Sequence, residues 1–205
     1  MKSVIWKLNN VKLGKYDIIV LQCKWVLNSN LMEVRIVEYY LRNGKTVVIR
    51  KPVVEDAEEI ISVISKADKE TLFLARNPGE FSPTVEEEKN LIAGLKNSNR
   101  TWFIAEYDEK IVGQCSIGFV NGYQRYRHRA SVAFVILAEY YNIGIGGKMM
   151  EECLKWCEDN KITQIELDVV TTNKRALTMY QSFGFEIVGT IPNALRYSDG
   201  KCTDE

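Results

Sequence analysis

Histidine and paired cysteines are scarce in this sequence. His128 is the only histidine, and none of the five cysteines belongs to a C-x-x-C pair: Cys23, Cys115, Cys153, Cys157 and Cys202. A zinc site of ordinary ligand spacing cannot be assembled from these residues, so we expect no metal. Unpaired cysteines are typical of a reducing compartment, and we expect a cytoplasmic protein. Cys153 and Cys157 fall on one face of a predicted helix, where plain packing and a redox or metal role are the alternatives.

Net charge and long apolar runs are also absent. Lys plus Arg (27) balances Asp plus Glu (27), so no overall field attracts nucleic acid or an acidic membrane surface. The apolar run at residues 18–21 is far shorter than the roughly 18 residues of a membrane span, and we expect neither a signal peptide nor a membrane partner. The few arginines near Tyr123 and Tyr126 form no stacking pattern, so we expect no nucleic-acid partner.

Apolar sequence is plentiful enough for one core. The chain has 205 residues, of which 46% are hydrophobic, and this size favours one domain with a terminal extension. Residues 1–31 contain apolar and aromatic side chains without a period, whereas the elements from residue 32 onward alternate regularly. We therefore predict an N-terminal extension of uncertain structure over residues 1–31 and a working domain over residues 32–205.

Periodicity and turn signals predict an α/β fold. Asn43-Gly44 between strand-like runs predicts a β-hairpin, residues 54–66 have helical spacing, and a capping box at Thr84 starts a second helix. An antiparallel meander is predicted at residues 101–107, 111–119 and 130–137. Helix and strand then alternate at residues 145–160, 165–170, 174–183 and 185–190. The expected fold is a mixed, mostly antiparallel central sheet flanked by helices.

A glycine-rich turn joins the strand at residues 130–137 to the next helix. Gly144, Gly146 and Gly147, with Asn142, allow a tight turn whose N–H groups point into one concavity at the positive end of the helix. This arrangement suits a pyrophosphate. A P-loop would need Gly at Asn142 and Ser or Thr at Met149, and a dinucleotide fingerprint would need Gly at Met149, so both are excluded. A tight turn that only packs closely is the alternative.

A second motif, Asn-x-x-Ala-x-x-x-Tyr, begins at Asn173 and ends in Gly-Phe. Ala176, Tyr180 and Phe183 share one helix face, and Gly184 is suited to stop the helix. Taken alone, Tyr180 could be a core aromatic residue and Asn173 a helix cap.

The two motifs in this order resemble the GNAT superfamily of acetyl-CoA-dependent N-acetyltransferases, over residues 46–205. The resemblance implies a GNAT-like fold, acetyl-CoA as cosubstrate, and acetyl transfer to a primary amine of a small metabolite or of a peptide or protein N-terminus. A non-catalytic acyl-CoA-binding or sensory module, and an enzyme that uses a longer acyl-CoA, are the alternatives. Proteins of this kind are often dimers, so a homodimer is one open alternative.

The resemblance also assigns site residues. It implies that backbone groups of Phe134, Val135 and Ile136 bind the pantetheine arm, and that Asn173 and Tyr180 face the thioester. The residues that it implies for the pyrophosphate are Tyr141, Asn142, Ile143, Gly144, Ile145, Gly146, Gly147 and Lys148. The family turn usually has Arg or Gln at the position of Tyr141 and Gly at that of Asn142, so this chain lacks a positive side chain that could support CoA affinity.

Acetyl transfer needs an acid for the departing thiolate and a base for the amine. Tyr180 is the predicted acid, and a backbone N–H near Val135 and Ile136 would meet the oxyanion. No cysteine has the setting of a nucleophile, which favours direct attack by the amine. His128 is the candidate base, with a solvated loop histidine as the alternative reading. Acidic alternatives for this role are Glu70, Glu80, Glu106 and Glu139.

The connection between the first two predicted helices is expected to shape the acceptor pocket. In similar proteins these helices cover the acceptor side, which makes Glu70, Phe73, Glu80 and Phe81 the substrate-binding candidates. Their two carboxylates would favour a cationic acceptor.

The last seven residues look like the approach to a final apolar strand that similar proteins possess. Either this strand lies outside the sequence or another segment supplies it, and residues 1–31 are one source.

Overall fold

The computed structural model of the chain describes the backbone of residues 4–7, 20–27 and 33–205, and the side chains from residue 36 onward. Residues 1–3, 8–19 and 28–32 lie outside the described residues, so the division into an extension and a domain at residue 31 stays a prediction.

A central sheet carries most of the described strands. They are β1 (Val4–Lys7), β2 (Val20–Leu27), β3 (Glu33–Tyr40), β4 (Thr46–Arg50), β5 (Arg100–Tyr107), β6 (Lys110–Phe119), β7 (Arg129–Ile136), β8 (Gln164–Leu167) and β9 (Glu186–Ile187). Their spatial order is β2-β3-β4-β5-β6-β7-β8-β1-β9. Neighbours are antiparallel except β7 and β8, which are parallel. The predicted mixed, mostly antiparallel sheet is confirmed.

Two pairs of helices cover the two faces of the sheet. They are α1 (Ala57–Glu70), α2 (Val85–Gly94), α3 (Ile145–Asp159) and α4 (Lys174–Ser182). Alternation along β5 separates two cores: Phe103 packs in the cluster that contains α3 and α4 residues, whereas Ile104 packs with Ile60 of α1 and Ile92 of α2. No helix among the described residues has the length and apolar character needed to cross a bilayer.

Local sequence signals predicted several elements correctly. Gly44 has a φ of 80° in the β3–β4 hairpin, and the Thr84 side chain accepts a hydrogen bond from the Glu87 amide as the predicted cap of α2. Several elements differ from expectation. β8 ends at Leu167 rather than at residue 170, and β9 spans only Glu186–Ile187 rather than residues 185–190. A small hairpin, β10 (Leu195–Arg196) with β11 (Cys202–Thr203), was not predicted.

The first strand completes the C-terminal half of the sheet. β1 lies between β8 and β9 and is antiparallel to both, with Val4 opposite Leu167 on one side and Ile187 on the other. The N-terminal segment thus supplies an additional strand in this half of the sheet, which is one of the two alternatives given above.

The buried cysteines pack as neutral thiols. The Sγ atoms of Cys115 on β6 and Cys153 on α3 lie 3.5 Å apart in the core. Burial raises the pKa of Cys153 well above its usual value and raises that of Cys157 to about 12. Both thiols are therefore poor nucleophiles, which favours the packing alternative.

Candidate functional site

A gap opens between the two parallel strands of the sheet. β7 pairs with β8 only from Arg129 to Ser131, whereas on its other edge β7 pairs with β6 from Ala130 to Ile136. Beyond Ser131, β7 therefore has no ladder partner on the β8 side within the part of the chain that the structure describes. Its remaining backbone groups need partners, and a ligand placed in the gap can supply them.

The glycine loop lies at the end of this free edge. Asn142 and Gly144 have φ values of 64° and 109°, and Gly144 is the N-cap of α3 without any side-chain cap. The first intrahelical bond of α3 runs from the Lys148 amide to the Gly144 carbonyl, so the amides before it have no partner within the helix. These amides lie at the positive end of α3, where an anion can bind, and their role in holding a pyrophosphate stays a prediction.

Close packing holds the loop against the sheet and α4. A Cβ atom at Gly146 would lie 2.9 Å from the Met179 Sδ and 3.3 Å from the Ile136 Cδ1. A glycine at this position thus lets α3 start directly beside the end of β7.

An arginine from α4 stacks on the tyrosine that stands where the family turn usually has Arg or Gln. The Arg175 guanidinium lies 3.4 Å from the centroid of the Tyr141 ring, and both residues line the cleft. Burial raises the pKa of Tyr141 and the Arg175 charge opposes that shift. The sequence showed the absence of a basic residue at Tyr141 but not the presence of this arginine beside it.

Tyr180 lies on the α4 side of the gap. Its ring packs between Phe134 of β7, at 6.2 Å between centroids, and Phe185, at 5.6 Å. Its hydroxyl makes no hydrogen bond within the described part of the chain, although the side chain lines the cleft. Burial, with smaller contributions from Cys153 and Cys115, raises the pKa of Tyr180 well above its usual value, so the hydroxyl is protonated at neutral pH.

The other residues assigned to the cofactor also line the cleft. They are Phe134, Val135, Ile136, Tyr141, Asn142, Ile143, Gly144, Ile145, Gly146, Gly147, Lys148 and Asn173. The Asn173 Oδ1 caps α4 by accepting a hydrogen bond from the Ala176 amide at 3.2 Å. The capping alternative for Asn173 is therefore correct, and its cofactor role stays a prediction.

His128 lies away from this cleft. Its side chain is exposed on the loop before β7, and its carbonyl accepts hydrogen bonds from the Thr163 and Gln164 amides. The acidic alternatives also have partners elsewhere: Glu106 binds Arg50, and Glu139 binds Lys66. None of these side chains is among the described residues that line the cleft.

The acceptor candidates divide into two pairs. Phe73 and Phe81 line the cleft. Glu70 instead accepts a hydrogen bond from the Ala138 amide at 2.8 Å, and Glu80 accepts two from Asn77, whose side-chain and backbone donors lower the pKa of Glu80. The two aromatic residues are thus placed to shape a pocket, and the acceptor role of the two carboxylates stays a prediction.

Four other carboxylates line the cleft and were missed from the sequence: Glu88, Glu151, Asp168 and Glu205. Asp168 follows β8 directly, and the end of a parallel strand is a position where functional side chains collect. Glu88 shares the buried stripe of α2 with Ile92, and a charged residue on such a stripe was a signal that could have been noticed. Burial raises the pKa of Glu88, and partial desolvation raises the pKa of Asp168 although its side chain is exposed.

The cleft is large enough for a long ligand and a second molecule. Its volume is about 2090 Å³, whereas sites for small molecules are usually about 300–1,000 Å³. It combines a glycine loop at a helix N-terminus, a strip of free backbone, a protonated tyrosine and four carboxylates. This set can hold a phosphate-bearing donor and move protons at its far end.

The chain matches a protein-family model and resembles parts of two known enzymes. A model described as the acetyltransferase (GNAT) family matches residues 66–185. N-alpha-acetyltransferase 50 of Danio rerio is 45% identical over 58 residues, which are 28% of this chain and 34% of that protein. L-amino acid N-acetyltransferase AaaT of Escherichia coli (strain K12) is 31% identical over 88 residues, or 42% of this chain and 54% of that protein. The matched segments thus span a third to about half of these relatives.

Solved structures share the fold. An acetyltransferase of the GNAT family from Streptococcus pneumoniae has a TM-score of 0.73 and 28% identity, covering 77% of this chain and 95% of that one. A phosphinothricin acetyltransferase from Sinorhizobium meliloti, solved in complex with AcCoA, has a TM-score of 0.67 and 15% identity over 77% of this chain and 84% of its own.

Proposed function

This chain belongs to the acetyltransferase (GNAT) family, and we propose that it transfers the acetyl group of acetyl-CoA directly to a primary amine of a small molecule or a peptide. The free edge of β7 beyond Ser131 is the observation that supports this most, because it leads straight to the glycine loop. A pantetheine arm has amide groups that need backbone partners, and it is joined to a pyrophosphate. A strip of unpaired backbone beside an anion site matches both parts of this donor.

The proposed reaction forms one bond and breaks one. The neutral amine nitrogen attacks the thioester carbonyl, and collapse of the tetrahedral intermediate breaks the C–S bond and releases the CoA thiolate. One proton leaves the amine and one is taken up by the thiolate, so the products are an N-acetylamine and CoA thiol. Free backbone N–H groups of β7 near Val135 would bind the oxyanion.

Tyr180 would supply the proton to the thiolate. A thiol such as that of CoA has an unperturbed pKa of about 8.5, below that of the buried Tyr180 hydroxyl. The same apolar surroundings disfavour a charged thiolate and so raise the pKa of the thiol, which narrows the difference between the pKa of the thiol and that of the Tyr180 hydroxyl. A protonated Tyr180 can therefore hydrogen-bond the sulfur as its charge develops and complete the transfer.

We assign to Asp168 the removal of the proton from the amine, because it lies at the edge of the gap; Glu205, whose pKa is raised by desolvation and also by the Asp168 charge, lines the cleft as well. Glu166 and Asp168 alternate with the buried Ile165 and Leu167, so they face away from the core that contains Tyr180. The last residue pair between β7 and β8 is Ser131 with Glu166. Asp168 lies two residues after Glu166 and lines the cleft at the gap. The acid and the base thus approach the thioester from opposite faces of the sheet. A water molecule between Asp168 and the amine would suffice as the relay.

Titration calorimetry tests donor binding directly. We expect acetyl-CoA and CoA to bind with micromolar Kd, and ATP, as a generic phosphate ligand, to bind far more weakly or not at all. Release of free thiol from acetyl-CoA in the presence of primary amines then tests transfer. Equal binding of ATP and acetyl-CoA would show a general anion site and would contradict the proposed donor.

Replacement of Gly144 by Ala tests whether the loop conformation holds the donor. A non-glycine residue in left-handed backbone costs about 1–2 kcal/mol, and Gly144 has a φ of 109°. If the loop relaxes to relieve this strain, its amides turn away from the donor. We expect the Kd of acetyl-CoA, measured by calorimetry, to rise about tenfold, which corresponds to about 1.4 kcal/mol.

Gly200→Ala is the matched control for this change. Gly200 also has positive φ, 84°, but an added Cβ meets nothing within 4 Å, and the residue lies in the β10–β11 turn. The control should lose similar stability in urea and bind acetyl-CoA normally. Unchanged acetyl-CoA affinity in both variants would show that the loop does not hold the donor.

Arg175→Ala tests the replacement of the missing basic residue. Hydrogen bonds to charged groups contribute about 1.5–3 kcal/mol, but Arg175 is exposed, so solvent screening should reduce its share to about 1 kcal/mol. We expect a roughly fivefold rise in the Kd of acetyl-CoA, with the difference from wild type shrinking as salt is raised. Arg125→Ala, an exposed arginine outside the cleft lining, should bind normally. A salt-independent loss in Arg175→Ala would indicate a packing effect instead of a charge effect.

A further inference from the structure

Glu88 is a buried carboxylate without a partner. It lies on α2 with 1% of its surface exposed, and both of its oxygens are shielded and make no hydrogen bond within the described part of the chain. Such a group is costly to bury, because the charge loses its hydration and gains nothing in return. Burial accordingly raises the pKa of Glu88.

Each of the other described buried acidic residues has a cationic partner, which Glu88 lacks. Asp56 is paired with Arg50 at 2.7 Å, Asp68 with Arg76 at 3.0 Å, and Glu152 with Lys155 at 2.6 Å. Among the described carboxylates that are buried, Glu88 alone lacks a cation. Since this chain otherwise pairs its buried acids, the missing cation at Glu88 points to a ligand.

The surroundings of Glu88 suit an organic cation. Glu88 lines the same cleft as Phe73, Phe81 and Trp102. Aromatic faces attract ammonium and guanidinium groups. Of the two arginines that line the cleft near these residues, Arg76 is already held by Asp68 and lies 5.3 Å from the Phe81 ring centroid, and Arg100 is exposed. A buried carboxylate without a cation of its own, in a cleft that aromatic rings also line, suits a positive group.

We propose that Glu88 binds a second cationic group of the acceptor, so that the preferred substrates are primary amines that carry another positive charge. The proposal rests on the proposed acetyl transfer and adds its substrate class. The reacting amine must be neutral when it attacks, so a permanent counter-ion for that nitrogen would slow the reaction. A carboxylate used for recognition therefore serves a different nitrogen. The acceptors that meet this description are diamines and other amines with a distant ammonium or guanidinium group.

Matched pairs of small amines test this proposal. The probes are 1,3-diaminopropane and 1,5-diaminopentane, each compared with the amino alcohol of the same length, 3-amino-1-propanol and 5-amino-1-pentanol. Each is titrated calorimetrically into the protein saturated with CoA, and each is also assayed for acetylation. We expect at least one diamine to bind ten times more tightly than its amino alcohol, and Glu88→Gln to abolish this preference. Equal binding within both pairs, or a preference that survives in Glu88→Gln, overturns the proposal.

A stability measurement separates recognition from a structural role. Glu88→Gln removes an unpaired buried charge, so its Tm should equal or exceed that of the wild type. Asp68→Asn is the matched control, because it breaks a paired buried acid and should lower the Tm. A lower Tm in Glu88→Gln with no change in diamine preference would identify a structural residue and would overturn the proposal.

The outcome is distinguishable from failure of the proposed function. If acetyl-CoA and CoA do not bind, the donor assignment fails, and the same diamine titration on the protein without CoA still reports on Glu88. If the donor binds but Glu88→Gln slows acetylation of diamines and amino alcohols equally, Glu88 acts in the chemical step and not in recognition. That result contradicts the proposal that Glu88 binds a second cationic group.

Discussion

Tyr180→Phe is expected to lower kcat about a thousandfold while the Kd of acetyl-CoA stays unchanged, since general acid catalysis contributes roughly 10²–10⁴-fold. The substitution removes only the hydroxyl oxygen from a ring that packs against Phe134 and Phe185. That hydroxyl makes no hydrogen bond within the described part of the chain, so its loss should not destabilise the fold. Because burial raises the pKa of Tyr180, the wild-type rate should not fall on the alkaline side through ionisation of this residue up to pH 9. Steady-state thiol release and calorimetry measure the two quantities.

Tyr107→Phe is the control for loss of a tyrosine hydroxyl. Tyr107 is also buried, its hydroxyl accepts a hydrogen bond from the Asn43 side chain at 3.0 Å, and it is not part of the described cleft lining. This variant should keep its turnover and lose some stability. If Tyr180→Phe also kept its turnover, Tyr180 would be a packed aromatic residue. A protein that binds acetyl-CoA but acetylates no amine, in wild type and variant alike, would favour the non-catalytic module.

Local sequence signals were sufficient where neighbouring residues decide the structure. The capping box at Thr84, the Asn43-Gly44 turn and the glycine loop before α3 each depend on backbone chemistry within a few residues, and the structure confirms all three. The resemblance to a family added the position of Tyr180 in the cleft. Helical periodicity predicted its face but could not show what lies opposite that face.

Other features depend on contacts between distant segments. Arg175 stacks on Tyr141 from a helix that begins some thirty residues later, and no local pattern predicts that contact. The gap between β7 and β8 exists because two parallel strands pair over three residues and then separate. Glu88 has the spacing of a core position, and only the packed structure shows that its carboxylate has no partner. The sequence made His128 a candidate base because of its side-chain chemistry, with a solvated loop histidine as the alternative, and its exposure depends on where the loop before β7 lies.

The second large effect is expected at the base, where Asp168→Asn should lower kcat/KM at neutral pH about a hundredfold, within the roughly 10²–10⁴-fold range for general base catalysis. Asparagine keeps the size and polarity of the side chain but cannot take a proton. The Asp168 side chain is exposed at the cleft; partial desolvation is the main cause of its raised pKa, and the Glu166 charge adds to the shift. The carboxylate must be ionised to act, so the wild-type kcat/KM should fall with decreasing pH, and this fall should begin at a higher pH than for an ordinary aspartate. The pH profile of kcat/KM for Asp168→Asn should show only the ionisation of the amine itself.

His128→Ala decides between the two candidate bases. The imidazole is exposed and lies outside the described cleft lining, so its removal should leave kcat/KM and its pH profile unchanged. The opposite result, a hundredfold loss in His128→Ala with a normal Asp168→Asn, would mean that the loop before β7 moves into the cleft during turnover. A small loss in both variants would mean that water alone accepts the proton. In that case binding geometry and Tyr180 would carry the rate enhancement, because an amine held against the thioester in its neutral form needs orientation more than a strong base.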